Sequence, residues 1–142
     1  NRLVLLAPAG IGRQKNLLLK AFPLLFLGAW GRQRLMHMVF GPPRPEPEAP
    51  ELRRLSAFVR LVTSATAARP TRIPTITDPQ LSALKTPILC IVGGRDVLLD
   101  SAGTRDRLAA HAPHARVEFL PDVHHVILDQ DAVIADFLRA EL

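Results

Sequence analysis

The segment Pro87-Ile-Leu-Cys-Ile-Val-Gly-Gly-Arg-Asp96 gives the clearest indication of how this chain folds. It joins a continuous apolar run to two glycines and a carboxylate. Uninterrupted apolarity over five or six residues is typical of a strand that is buried on both faces, as in a parallel sheet. A similar apolar run occurs at Leu3–Ala7, and Arg116–Leu120 is a further predicted strand. The sequence therefore predicts three strands, of which Ile88–Val92 is the second.

Helical segments alternate with the later strands. A helix from about Ser101 to Ala112 separates the second strand from the third, and a final helix follows from about Asp131 to Leu142. Strands that are separated by helices of this length form right-handed crossovers and a parallel sheet. The predicted class is therefore α/β. Asp96 and His125 each follow a strand, so we expect both at the carboxyl edge, where open α/β sheets bind ligands.

A carboxylate and an imidazole at one sheet edge can handle protons together. Asp96 can accept the Nδ1–H of a histidine, fix its tautomer and stabilise the imidazolium. The alternative is a turn aspartate that accepts hydrogen bonds from the amides of its own loop. The two glycines before Asp96 tolerate the positive φ and the close approach that a sharp turn needs. Asp100 and Ser101 are interpreted as caps of the following helix.

Two adjacent histidines compete for the role of partner to Asp96. The side chains of His124 and His125 must point in different directions, and we favour His125 because of its place in the loop after the third strand. The other three histidines are interpreted as surface or helix-end residues. No His/Glu pair at helical spacing indicates a metal site.

The sequence lacks a recognisable nucleophile. Gly-x-Ser-x-Gly does not occur in the 142 residues, nor does the same pattern with Cys or Asp in the middle. None of the four serines is flanked by glycines on a strand–turn–helix elbow. These serines are Ser56, Ser64, Ser82 and Ser101. The single cysteine, Cys90, lies in the middle of a predicted strand and is interpreted as a small core side chain.

The N-terminal half has a different pattern. Residues from Gly12 to about Phe40 are predicted to be helical, with interruptions at Pro23 and near two glycines. Five prolines in Gly41–Pro50 predict a stiff extended connector. Glu51–Ala68 is predicted to be an amphipathic helix. Its apolar stripe consists of Leu52, Leu55, Phe58, Val59 and Val62.

Composition limits the partners of this chain. The net charge of +5 comes from scattered arginines without a run of four basic residues, and tyrosine is absent, so we do not expect nucleic-acid binding. The apolar stretch Leu17–Trp30 contains Lys20 and Pro23 and is shorter than the ~20 residues that span a bilayer. We therefore expect no membrane partner. One unpaired cysteine fits a reducing compartment, so the expected location is the cytoplasm.

From Asp78 onward the chain resembles the C-terminal part of α/β-hydrolase-fold proteins of the bacterial esterase-like kind. The resemblance is carried by Asp78-Pro-Gln-Leu81, Pro87–Asp96, Leu120-Pro-Asp-Val-His-His125 and Asp136-Phe-Leu138. It implies that Asp96 is the acid of a catalytic triad and that His125 is its histidine. His124 then stands where the family pattern has glycine.

The resemblance also implies a domain organisation. Residues 1–12 would hold the core strand after the missing nucleophile helix, 13–75 a helical cap or lid with the Pro-rich connector 41–50, and 76–142 the C-terminal α/β core. The implied fold is three parallel strands with flanking helices plus this cap.

The implied activity is hydrolysis of carboxylic esters or related acyl compounds through a nucleophile–His–Asp triad, without a metal or organic cofactor. Two alternatives remain open: a non-catalytic binding module of the same fold, and a hydrolase of the epoxide hydrolase or haloalkane dehalogenase type.

The start of the chain leads to one more expectation. Asn1 and Arg2 lead directly into the first apolar run, which suggests a chain cut within a domain. We then expect an open strand edge that could support self-association. Without its nucleophile, the chain alone is predicted to be inactive.

Overall fold

A computed structural model describes residues 1–16, 21–24, 26–42, 50–65 and 73–140. Residues 21–24 are helical. The other elements, in chain order, are β1 (Leu3–Leu6), α1 (Gly28–Phe40), α2 (Pro50–Ala65), α3 (Asp78–Ala83), β2 (Ile88–Gly93), α4 (Ser101–His111), β3 (Arg116–Leu120) and α5 (Asp131–Arg139).

The strands form one parallel sheet in the order β1-β2-β3. Cys90 lies at its centre, opposite Leu5 on one side and Val117 on the other. Parallel strands need crossover connections, and α4 supplies the one between β2 and β3. The predicted fold class, three parallel strands with flanking helices, is confirmed.

Every residue of β2 is buried, as the continuous apolar run predicts. Alternate side chains point to opposite faces of a strand, so β2 contributes to two apolar clusters. On one face Ile88, Cys90 and Val92 pack with Leu81 and Leu108. On the other face the cluster contains Leu89, Ile91 and Phe137, with partly buried Val133 and Ile134 against it. Helices therefore cover both faces of the middle strand.

β1 has a similar apolar sequence but a different environment. Among the described strands it pairs with β2 alone, and Leu3 and Leu6 keep 37% and 48% of their surface exposed. The prediction that the first apolar run is buried on both faces is therefore wrong. An edge strand has one neighbour, so fewer side chains cover its apolar surface.

The segment after β1 also departs from prediction. Residues 12–16 are not helical: Gln14 forms an antiparallel bridge with Leu99 in the loop after β2. The amide of Lys15 donates to the carbonyl of Leu98, and the amide of Asp100 donates to the carbonyl of Arg13. These backbone bonds hold the segment extended along the loop, which overrides the helical pattern of the sequence. Residues 17–20 of the predicted helix lie outside the described residues.

The chain divides into two compact units, Asn1–Gly41 with Ile73–Leu142, and Pro42–Arg72. The second unit contains α2, where the sequence predicts a helix over Glu51–Ala68. Phe58 and Val62 of its predicted apolar stripe are exposed. The side chains of the other three stripe residues and most of the Pro-rich connector lie outside the described residues. Among the helices that the structure describes, none is long and apolar enough to cross a membrane.

Candidate functional site: the Asp96–His125 pair

Close packing of two loops creates the site. The loop after β2 lies against the loop after β3, because the amide of Gly94 donates to the carbonyl of Leu120 at 2.7 Å and that of Arg95 to the carbonyl of Val123 at 2.9 Å. A Cβ on Gly93 would lie only 2.3 Å from the carbonyl oxygen of His124, so no side chain fits there. The two glycines serve close approach, as predicted. The predicted positive φ is wrong, since neither glycine has one.

Asp96 is buried, with 2% of its surface exposed, and both of its oxygens are used. Its Oδ1 accepts the amides of Leu98 at 2.7 Å and Leu99 at 2.9 Å. Its Oδ2 lies 2.8 Å from Nδ1 of His125. The two interpretations of Asp96 are therefore compatible, because one oxygen organises the turn and the other holds the histidine.

The charge states of the pair follow from these contacts. Burial by itself would raise the pKa of Asp96, but the hydrogen bonds from His125 and from the amides of Leu99 and Leu98 outweigh it and lower that pKa. The hydrogen bond to Asp96 raises the pKa of His125, although burial opposes it. An ionised carboxylate only accepts hydrogen bonds, so Nδ1 carries a proton and neutral His125 has its lone pair on Nε2.

His125 is held at its backbone and open at its ring. Its amide donates to the carbonyl of Val39, 3.2 Å away, at the end of α1. Its side chain is 30% exposed, and no described residue forms a hydrogen bond with Nε2. An imidazole with an oriented Nδ1–H and an accessible Nε2 can take a proton from one group and give it to another.

The other histidines lie elsewhere. His114 contacts the carbonyl of Thr86 at 3.2 Å, and His111 ends α4, 3.6 Å from a carboxylate oxygen of Asp78. His37 lines an open pocket on α1. His124 is half-buried, and its ring lies beside Gly41. Of the two adjacent histidines, the structure thus brings His125 to Asp96.

The prediction that Asp100 and Ser101 cap the helix α4 is confirmed for Asp100 and wrong for Ser101. Asp100 is the N-cap of α4, and its Oδ1 accepts the amide of Gly103 at 3.0 Å. Ser101 does not cap the helix. Its buried hydroxyl donates instead to the carbonyl of Gly93 at 2.6 Å, which fixes the start of α4 to the end of β2.

Neither the thiol of Cys90 nor the buried hydroxyl of Ser101 offers a nucleophile. Cys90 is fully buried, and this burial raises the pKa of its thiol to about 12. The hydroxyl of Ser101 is committed to Gly93. Within the described ranges, no group of three His, Cys, Asp or Glu side chains could hold a metal ion.

Sequence reasoning missed one side chain at this site. The ammonium group of Lys15 donates to the backbone carbonyl of Asp96 at 2.8 Å. The contact joins residues that are far apart in the chain and depends on the unpredicted bridge between Gln14 and Leu99. No pattern around Lys15 could have indicated it.

The fold matches that of solved hydrolases. The carboxylesterase CesB (YbfK) from Bacillus subtilis matches 100% of this chain with a TM-score of 0.67 and 18% identity, and the match covers 52% of the esterase. The naproxen esterase (carboxylesterase NP) from Bacillus subtilis matches 95% of this chain with a TM-score of 0.59 and 16% identity, and the match covers 48% of that chain. No family model and no curated protein matches the sequence.

At these identities the likeness shows the fold. The chain has the α/β-hydrolase fold, as the resemblance of its sequence implied, and it spans about half the length of the solved structures that it matches.

Proposed function

We propose that this chain carries the acid and the histidine of an α/β-hydrolase that cleaves carboxylic esters or related acyl compounds. The observation that supports the proposal is the 2.8 Å contact between Nδ1 of His125 and the buried carboxylate of Asp96. Buried carboxylates that orient a half-exposed imidazole are typical of acyl-transfer sites. The hydrolase names of the structural neighbours agree with this chemistry.

In the proposed reaction, His125 first acts as a base. Its Nε2 takes the proton of a nucleophile, which forms a bond to the ester carbonyl carbon while the π electrons move to the carbonyl oxygen. Asp96 stabilises the resulting imidazolium, because it is ionised and hydrogen-bonded to Nδ1. When the tetrahedral species collapses, the ester C–O bond breaks and His125 gives its proton to the leaving alcohol. Water then releases the acid by the same route.

The proposal requires a nucleophile from outside these 142 residues. The sequence has no nucleophile elbow, and the buried thiol of Cys90 has a raised pKa and remains protonated near neutral pH. The chain alone is therefore predicted not to turn over an ester. The cap at 13–75 and the cytoplasmic location remain predictions, as does a small-molecule ester as the substrate.

Ester hydrolysis by the full-length gene product tests the proposal. p-Nitrophenyl esters of increasing acyl length are assayed with the wild type, His125→Gln, Asp96→Asn and the matched control His114→Gln. Loss of the acid or the histidine of a triad lowers kcat by about 10⁴- to 10⁶-fold. His114 binds Thr86 at the surface, so its substitution should leave kcat unchanged.

The outcome distinguishes the alternatives. Full activity of His125→Gln would refute the proposed role of His125. A wild type that binds esters but does not hydrolyse them would favour the binding module. Turnover of epoxides or haloalkanes in place of esters would favour the third class, in which an aspartate is the nucleophile.

A further inference from the structure

The end of α1 lies against the loop that carries His125. The carbonyl of Val39, in the last turn of the helix, accepts the amide of His125 at 3.2 Å. Val39 is buried, with 8% of its surface exposed. This bond ties the backbone of the histidine to a helix that comes much earlier in the sequence.

Gly41 makes a second contact with the same loop. It is the C-cap of α1, with φ of 85°, and its amide donates to the carbonyl of His37 at 2.9 Å. A Cβ on Gly41 would lie 3.0 Å from Nδ1 of His124 and 3.5 Å from two carbon atoms of that ring. The imidazole of His124 therefore occupies space that a side chain at position 41 would take.

These contacts explain how the chain accommodates His124 in place of the glycine that the resemblance predicts. His124 does not have a positive φ, so its backbone needs no glycine. Its ring needs room, which the missing side chain of Gly41 provides. Gly41, at the facing end of α1, is thus the residue without a side chain in this contact.

We propose that the end of α1 positions His125, through the carbonyl of Val39 and through the space that Gly41 leaves for the ring of His124. The inference rests on the proposed function, in which His125 is the base. Neither Val39 nor Gly41 reaches the reacting atoms in this proposal. They are positioning residues, which keep Nδ1 of the imidazole toward Asp96 while Nε2 faces outward.

Small displacements would matter at this point. Catalytic groups work within about 0.5 Å and 10–20° of their productive geometry. A Cβ at position 41 would push the ring of His124, and the displacement would pass through one peptide bond to His125. Gly28, at the other end of α1, offers a comparison for the effect of a positive φ, which is +55° there, and no described atom lies within 4 Å of a Cβ added to it. The backbone of Gly41, with φ of 85° and ψ of −174°, is the more strained of the two for alanine, so a double-mutant cycle with His124 is needed to separate strain from contact.

Amide hydrogen exchange of the isotope-labelled chain tests the proposal without any turnover. Gly41→Ala should accelerate exchange of the His125 amide about tenfold and broaden or shift the Nδ1 proton resonance. Gly28→Ala introduces the same side chain at a positive φ in the same helix, and it should leave both signals of His125 unchanged. Equal effects of the two substitutions would overturn the proposal, because they would reflect backbone strain alone.

A double-mutant cycle isolates the contact with His124. In the His124→Ala background, Gly41→Ala should have much less effect on His125, since the ring that it displaces is gone. An effect of the same size in both backgrounds would overturn the proposal. If Gly41→Ala does not fold, His124→Ala alone still tests the proposal. Loss of its ring should by itself accelerate exchange of the His125 amide, and unchanged exchange would contradict the proposal.

Activity of the full-length protein separates this inference from the proposed function. Gly41→Ala should lower kcat while KM stays unchanged, as expected when an interaction that is made only in the transition state is weakened. If the wild type hydrolyses no ester, the proposed function fails, whereas the exchange data still decide whether the end of α1 positions His125.

Discussion

β1 and β2 have similar apolar sequences, yet they are held in the sheet by different means. β2 is buried at every position and packs against helices on both faces. β1 pairs with one described strand, and polar contacts hold the residues on either side of it in place. The guanidinium of Arg2 donates to the carbonyls of Phe137 and Ala140, and that of Arg107 donates to the carbonyl of Ile11 beyond β1. Apolar burial anchors the middle strand, and arginine–carbonyl bonds anchor the edge.

The comparison is tested most strongly by the same substitution in both strands. Leu89→Ala in β2 removes a fully buried side chain and should lower the free energy of unfolding by about 3 kcal/mol. Leu6→Ala in β1 removes a side chain that is 48% exposed, and it should cost about 1 kcal/mol. Denaturant unfolding of the two variants measures the difference. Equal losses would show that the edge strand is as well packed as the middle one.

The polar anchoring of the edge can be tested at Arg107. Besides the carbonyl of Ile11, this side chain binds the carbonyl of Ile76 at 2.8 Å and the carboxylate of Asp78. Arg107→Ala leaves two carbonyls without their charged donor and should cost about 2 kcal/mol. Arg13→Ala removes an exposed arginine side chain from the segment after β1, which also contains Ile11. It should change the free energy of unfolding little. A comparable loss in both variants would argue against specific anchoring.

The smallest expected effect concerns the loop after β2 and depends on pH. The lowered pKa of Asp96 gives stability that is present above about pH 4 and is lost as the pH falls through the folded-state pKa. The raised pKa of His125 gives stability that is fully present below about pH 6.5 and is lost as the pH rises through its folded-state pKa. The pair should therefore contribute most between these limits, by about 1 kcal/mol.

Unfolding of the wild type and Asp96→Asn at several pH values measures that contribution. The difference between the two proteins should be largest near pH 5.5 and should decrease at pH 3 and at pH 9. NMR titration of His125 gives an independent check, because its pKa should fall when the carboxylate is removed. A difference that does not change with pH would show that Asp96 acts only through its turn hydrogen bonds.

Local pattern and parallel topology were enough to predict the central contact of the site. Asp96 and His125 each come directly after a strand run, and parallel strands place such positions at one edge, so their contact could be inferred. The extended course of residues 12–16 could not be, because it depends on pairing with Leu99 rather than on local periodicity.

The residues that position His125 could not be predicted, for a related reason. Val39 contributes a backbone carbonyl, and its side-chain type gives no indication of this contact. Gly41 begins a Pro-rich run, so its sequence context predicts only the end of a helix. Its contact with His124 depends on the packing of the loop after β3. Burial of β1 on both faces was predicted wrongly, because apolar residues alone do not reveal how many neighbours a strand has.

The position of Cys90 has a practical consequence. The chain has one cysteine, and its side chain is fully buried on the sheet face that packs against Leu81 of α3 and Leu108 of α4. A thiol reagent can reach it only when these helices move away from the sheet. The labelling rate of the unmodified chain therefore reports how often this side of the core opens, without an added probe.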